Sequence, residues 1–330
     1  VKALLTGANG FIGSHVLDAL LALGVSVRAL LRTTSDTRLI ADALPDVEVV
    51  QGDLASRESL SCAGKGVELV VHCAAVTKAL RRRDYYATNA TGVLNLVDAC
   101  NQSARSVRHI TFLSSLAVSG PGTPARPATE GGRPRPVSHY GRSKALGEAW
   151  LRSRSCVPFT ILRPSAVYGP RDRDFLLVFK AIRCGLMPLV DGGAQWLSLV
   201  YVGDLVQAVL AVMDSREARG RTYHVAHPRP WTQYAFMAQV ARTMSARPLK
   251  IPVPHPLLYP AFALRGVLDR LSGRPSIVNV HKVPEYAAPG WVCSSGAIAG
   301  EVGFIPAVPL EVGLRRTHAW YLQNGWLAAA

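Results

Sequence analysis

A doubly wound parallel α/β sheet with a smaller, mixed C-terminal domain is the fold class this sequence predicts. Three observations carry that prediction. Apolar runs and stretches of helical periodicity alternate through residues 1–165, as in a parallel sheet covered on both faces. The first run, Val1 to Leu5, passes through Thr6-Gly7-Ala8-Asn9-Gly10-Phe11-Ile12-Gly13 into a helix with Val16, Leu17, Leu20 and Leu21 on one side. Small or polar residues close each strand, at the edge where open α/β sheets hold ligands.

The elements follow in order. Strands are expected at Val25 to Leu31, at Val47 to Val50 before Gly52-Asp53-Leu54, and at Val67 to Cys73. A helix through Asn89 to Cys100 precedes a fifth strand, His109 to Leu113, which ends at Ser114-Ser115. Pro121 to Ser138, rich in Pro, Gly and Arg, reads as an irregular loop, either a lid or a long connection. Tyr140 to Arg152 is again helical, and Phe159 to Leu162 makes a sixth strand. The alternation breaks down after Tyr168-Gly169-Pro170, although a helix at Val202 to Met213 and a strand at Thr222 to Ala226 remain legible. Residues 1–169 and 200–227 are therefore expected to form a dinucleotide-binding domain, and 170–199 with 228–330 a substrate-binding domain.

Composition narrows the class. A chain of 330 residues with 49% hydrophobic and 18% charged residues buries a large core, and no stretch offers the roughly 18 apolar residues of a membrane span. Six scattered cysteines without a Cys-x-x-Cys pair read as reduced thiols, not as disulfides or a metal site. With no leader ahead of the first strand, a cytoplasmic location is expected. The net charge of +15 is spread along the chain, and only Arg81-Arg82-Arg83 forms a run, so nucleic acid is not an expected partner. The apolar segment at 252–275, with Leu257, Leu258, Phe262, Leu264 and Leu268, has three open readings. It is a helix packed in the second domain, a greasy wall of a pocket, or a weak membrane-surface contact.

The glycine turn has the strand–turn–helix setting of a dinucleotide fingerprint, spaced Gly-x-x-Gly-x-x-Gly. Glycine lets the backbone approach a pyrophosphate, and the helix start holds its charge. Tyr140 and Lys144 stand four residues apart, on one helix face. A phenol is a poor base at neutral pH, and a nearby ammonium brings it toward the working range. Ser115, ending the neighbouring strand, can donate to a substrate oxygen. Together they move a proton on and off an alcohol or ketone while a nicotinamide moves the hydride.

These segments, with His72-Cys73-Ala74-Ala75, Asn89-Ala90-Thr91-Gly92, Arg163 to Pro170 and Tyr201-Val202-Gly203-Asp204, resemble an extended short-chain dehydrogenase/reductase over nearly the whole chain. The resemblance implies a Rossmann sheet, with Tyr140 as proton donor or acceptor, Lys144 tuning it and holding the nicotinamide ribose, and Ser115 polarising the carbonyl. It places Gly7, Asn9, Gly10, Phe11, Ile12 and Gly13 on the dinucleotide, Asp53 and Leu54 at the adenine, and Ala74 and Ala75 along it. Asn89 is placed near the cofactor, with Pro164 and Val167 on the nicotinamide side. A homodimer is usual for such proteins, and the sequence does not exclude a monomer. Ser119 departs from the tyrosine many members carry there, which bears on substrate shape.

The second strand ends at Arg32 with no acidic residue to accept from a ribose 2′-OH, so NADP(H) is the expected cofactor and NAD(H) the alternative; Arg38 is a second candidate for the phosphate. Ala166 stands where sugar-nucleotide epimerases carry asparagine, and Leu116-Ala117 where sugar dehydratases carry Asp-Glu. The resemblance is therefore to members like the 3β-hydroxysteroid dehydrogenases and dihydroflavonol reductases, and the implied substrate is a largely apolar small-molecule alcohol or ketone. An epimerase-type enzyme retaining NAD and a non-catalytic dinucleotide-binding scaffold are the alternatives.

Overall fold

The computed structural model describes residues 1–103, 105–272, 276 and 282–328. β1 (Lys2–Thr6) leads into α1 (Phe11–Ala22), and β2 (Ser26–Leu31) and β3 (Val47–Gln51) extend the sheet on one side of it. The chain returns through α2 (Arg57–Gly64) to β4 (Leu69–His72), which pairs with the other side of β1. A short α3 (Arg82–Tyr86), a π turn at Ala87–Thr91 and α4 (Gly92–Gln102) precede β5 (His109–Leu113). α5 (His139–Arg154) then precedes β6 (Phe159–Pro164).

Beyond β6 the chain builds β7 (Ala166–Tyr168), α6 (Leu176–Arg183), β8 (Leu186–Val190), β9 (Trp196–Leu197), β10 (Leu199–Tyr201) and α7 (Val202–Met213). β11 (Thr222–Val225) returns to the large sheet. The remainder comprises β12 (Trp231–Thr232), α8 (Gln233–Thr243), β13 (Leu249–Val253), α9 (Leu258–Ser272), α10 (Val283–Tyr286), β14 (Gly290–Trp291), α11 (Gly296–Val302) and α12 (Leu310–Gln323).

The main sheet has seven strands in the order β11-β6-β5-β4-β1-β2-β3, all parallel. Strand order reverses between β1 and β4, and such a reversal opens a crevice at the strands' carboxyl ends. The alternation of β1 divides the core. Ala3 and Leu5 pack with Val16, Leu17 and Leu20 of α1 and with Val209 and Val212 of α7. Leu4 faces the opposite layer, with Leu60 of α2, Leu96 of α4 and Leu151 of α5. Each such leucine or valine contributes roughly 1.5–3 kcal/mol by leaving water. A third core joins Phe179, Phe236, Val240, Leu314 and Tyr321.

His109–Leu113 and Val202–Met213 lie where the sequence places them. The helix expected from Asn89 begins instead as a π turn, and Asn89 reaches from it across to Val76 and Ser143. The 121–138 loop is stitched down: Gly122 and Ala128 bridge to Trp291 and Cys293, and the Ala128 N–H donates to the Val292 carbonyl at 2.9 Å. α11 packs back against the first core through Ile298, so this part of 228–330 joins the main sheet. Of the apolar 252–275 segment, residues 273–275 lie outside the described residues.

A buried polar network fixes the inner side of α5. Glu148 accepts from Arg163 at 2.9 and 2.6 Å and from Ser114 at 2.5 Å, and Arg163 also donates to Ser119 at 3.0 Å. Removing one member strands a buried charge. Glu148→Ala is therefore expected to cost about 3–5 kcal/mol in urea unfolding, and a loss below about 1 kcal/mol contradicts this.

Candidate active site

The segments singled out in the sequence meet at the carboxyl edge of the sheet, around the β1/β4 reversal. Gly7 takes φ 72°, and a Cβ there would stand 2.6 Å from the Ala74 nitrogen. A Cβ on Gly13 would stand 2.0 Å from the Gly7 carbonyl oxygen. The turn is therefore bare backbone packed on backbone. α1 starts at Phe11 behind Gly10, which has no side chain to cap it. Uncapped N–H groups beside an exposed main chain fit a pyrophosphate. Ile12 is partly buried against the first core and Phe11 against the third. Asn9 donates to the Asp36 carbonyl at 3.1 Å, tying the turn to the loop after β2.

Around that cradle, Asp53 caps the Ala55 N–H at 2.8 Å, and Leu54 is buried against Gly92. Ala74 is half-buried and Ala75 exposed on the loop after β4. Asn89 lies behind this loop and holds it. Its Oδ1 accepts from Val76 at 2.8 Å, and its amide donates to the Val76 carbonyl at 2.9 Å and to Ser143 Oγ at 3.0 Å. Both amide hydrogens are thus spent within the protein. Pro164 ends β6 and Val167 lies in β7.

Arg32 is exposed past the end of β2, and among the described residues its guanidinium has no carboxylate partner. Arg38 differs: Asp36 holds it in two bonds, at 2.9 and 2.6 Å. The pairing keeps the Asp36 carboxyl far below the usual range.

Ser115 lies two residues past β5 and caps a short 3-10 turn, and Tyr140 stands in the first turn of α5, four residues before Lys144. Burial pushes the Tyr140 phenol up to about 12, opposed by a hydrogen bond with Ser115. Lys144 is wholly buried, donates to the Leu113 carbonyl at 2.5 Å and lies 4.3 Å from the Phe112 ring centre. Burial lowers it to about 8. Its charge acts on His72, lowered to about 3 chiefly by burial, and on Cys73. The lysine donates to the strand end, and burial raises the phenol above its ordinary value.

Three neighbours had no signal in the sequence. Tyr85 lies 6.5 Å from Tyr140, ring to ring. Lys282, buried, stands over the Tyr140 ring at 4.6 Å and pairs with Glu285 at 2.8 Å. The other oxygen of Glu285 is buried without a partner among the described residues. α10, which carries this pair, is held by Gln195, whose amide donates to the carbonyls of Glu285, Tyr286 and Ala288. Ser119, read as bearing on substrate shape, instead turns into the buried network and meets His224 at 2.7 Å. The departure from tyrosine there is absorbed by packing.

Residues 3–226 match the NAD dependent epimerase/dehydratase family. The chain is 29% identical to the ceramide reductase of Caulobacter vibrioides, over 98% of this chain and 95% of that protein. It is 27% identical to the N-acetyl-alpha-D-glucosaminyl-diphospho-ditrans,octacis-undecaprenol 4-epimerase of Escherichia coli O157:H7, over 96% of this chain and 94% of that one. Homologues also include sterol dehydrogenases and a quinoline-oxide ketoreductase. Among solved structures, the UDP-glucose 4-epimerase of Thermotoga maritima superposes with a TM-score of 0.80 at 20% identity, over 98% of this chain and 99% of that one.

The raised phenol gives a direct test. In an ultraviolet difference titration of wild type against Tyr140→Phe, no ionisation from Tyr140 is expected below pH 10. Ser115→Ala should move it higher still. A phenol titrating below its ordinary value would contradict this electrostatic picture.

Proposed function

The chain belongs to the NAD-dependent epimerase/dehydratase family and is an NAD(P)-dependent enzyme of the extended short-chain dehydrogenase/reductase kind; from that premise we propose that it interconverts a ketone and a secondary alcohol on a largely apolar small molecule, with NADP(H) as the preferred cofactor. One observation carries the reading: α5 sets the Tyr140 phenol and, one turn on, the buried Lys144 against the end of β5 beside Ser115, at the sheet edge that also holds the glycine cradle.

When bound, the nicotinamide supplies or accepts the hydride. The protein's own residues do the rest. Ser115 holds the substrate oxygen, and Tyr140 gives that oxygen its proton in reduction and takes it back in oxidation. A phenol that stays protonated through neutral pH is the form reduction needs. Lys144 fixes the end of β5 through Leu113 and supplies positive charge beneath the site. Gly7, Asn9, Gly10, Phe11, Ile12 and Gly13 cradle the dinucleotide. Asp53, Leu54, Ala74 and Ala75 line it, Asn89 holds the Ala74–Val76 wall, and Pro164 and Val167 pack at its nicotinamide end. Residues 1–169 and 200–227 serve the cofactor, and 170–199 with 228–330 the substrate.

Arg32 is the residue we assign to the 2′-phosphate, because its guanidinium is uncommitted while Arg38 is held by Asp36. The similarity to a 4-epimerase supports a second reading, in which a retained NAD is reduced and reoxidised in place. Ala166 and the Leu116-Ala117 pair weigh against nucleotide-sugar chemistry.

Tyr140→Phe should abolish turnover while cofactor affinity, read by NADPH fluorescence, stays near wild type. Activity within about tenfold of wild type would remove Tyr140 from this role. Arg32→Asp should shift the NADPH:NADH ratio of kcat/KM toward NADH by about tenfold or more, since a charged hydrogen bond is lost; an unchanged ratio would clear Arg32 of the phosphate. Lys144 is charged below about pH 8 and neutral above it. Ketone reduction that depends on this charge should therefore fall as pH rises through about 8, and a rate flat well past that point contradicts the dependence.

A further inference from the structure

α9 wears its apolar residues outward. Leu257, just before the helix, and Tyr259, Leu264, Val267, Leu268 and Leu271 within it are each half exposed or more, Leu271 to 80%. Positions 257, 264, 268 and 271 fall on one helical face. Leu258, Phe262 and Asp269 turn the other way and are buried. The stretch of sequence is basic: between residues 247 and 274 it carries Arg247, Lys250, Arg265, Arg270 and Arg274 against Asp269 alone, and Asp269 pairs with Arg265 at 2.9 Å. No helix among the described residues is long and apolar enough to cross a membrane.

We propose that this face docks on the surface of a bilayer containing anionic phospholipid. A contiguous apolar face of this extent is unusual on a free surface. Leucine and tyrosine in a basic stretch of sequence suit the boundary between acyl chains and headgroups, where burial of the apolar face and attraction to anionic lipid add. Charge selects this occupant over a second copy of the chain. A copy would bring the same basic segment against itself, on a molecule of net charge +15.

The inner face of the helix leads to the site. Phe262 packs edge-on against Tyr286 at 5.1 Å, and Tyr286 ends α10, whose preceding residue Lys282 reaches over Tyr140. The docked face is thus the outer side of the helix that packs on α10, beside the residue over the tyrosine, and a long-chain ketone would reach Tyr140 from the bilayer side. That consequence rests on the reaction proposed above, whereas docking does not.

The test is flotation of the full chain with extruded vesicles, which reads no activity. Vesicles of phosphatidylcholine with phosphatidylglycerol are expected to carry the protein. Binding should be about tenfold or more weaker to phosphatidylcholine alone, and should fall in high salt. The triple substitution Leu264→Gln, Leu268→Gln, Leu271→Gln should lower binding to anionic vesicles by about tenfold or more, with NADPH binding and Tm unchanged. If the triple variant melts early, the single substitutions Leu264→Gln and Leu271→Gln are read instead, each expected to weaken flotation. Wild-type protein that does not float with anionic vesicles overturns the proposal. So does undiminished flotation of the variants. A dimer in sedimentation that the substitutions split, with vesicle binding absent or unaltered, would assign the face to a second copy.

Discussion

The close approach of Gly7 to the backbone of Ala74 is the constraint on which the rest of the structure depends. It brings the turn after β1 against the loop after β4, at the point where strand order reverses. A side chain at either contact, Gly7 on Ala74 or Gly13 on Gly7, would force main chain apart from main chain. Backbone cannot yield as a flexible side chain can. The crevice, the start of α1 and the wall held by Asn89 all follow from that contact. So does the bare main chain that a pyrophosphate requires.

α5 is the second organising element, and its inward face is polar. Tyr140, Ser143, Lys144, Gly147 and Glu148 turn toward the sheet, and each polar member has a dedicated partner. Ser143 meets Asn89, Lys144 the Leu113 carbonyl, and Glu148 the Arg163 guanidinium. Gly147 lets the helix lie against the Asn89 carbonyl, where a Cβ would stand at 2.3 Å. Three buried polar contacts of this kind set the helix's position far more tightly than apolar packing alone, because each is costly to leave unmade. That fixity is what lets one phenol stand reproducibly against Ser115. The same arrangement keeps the lysine beneath the site, at the end of β5, while burial raises the phenol and Ser115 opposes that rise.

Much of this was legible in the sequence where chemistry is local. The glycine turn, the strand-ending serines and the Tyr140–Lys144 spacing each announce themselves within a few residues, and the alternation of apolar runs gives the sheet. What was not legible depends on distant segments. Lys282 and Glu285 lie about 140 residues beyond Tyr140 in the chain and reach it only because Gln195 and Trp291 pin α10 in place. Ser119 reads as a pocket residue by position, yet the β6 and β11 side chains Arg163 and His224 draw it into the interior. Arg38 reads as a free cation until Asp36, two residues earlier, claims it. The apolar segment at 252–275 leaves three readings open in the sequence, and only the fold shows a helix over Leu258–Ser272 and which of its faces is left uncovered.

The central claim is net hydride exchange at Tyr140 with a dissociable cofactor. Its most direct test is isotopic: NADPH carrying deuterium at the nicotinamide C4, a long-chain ketone, and mass spectrometry of the product. The account predicts deuterium on the new carbinol carbon, with one NADP+ formed per alcohol. A tightly held NAD that never exchanges with solution, together with inversion of an alcohol centre and no net label, would contradict it.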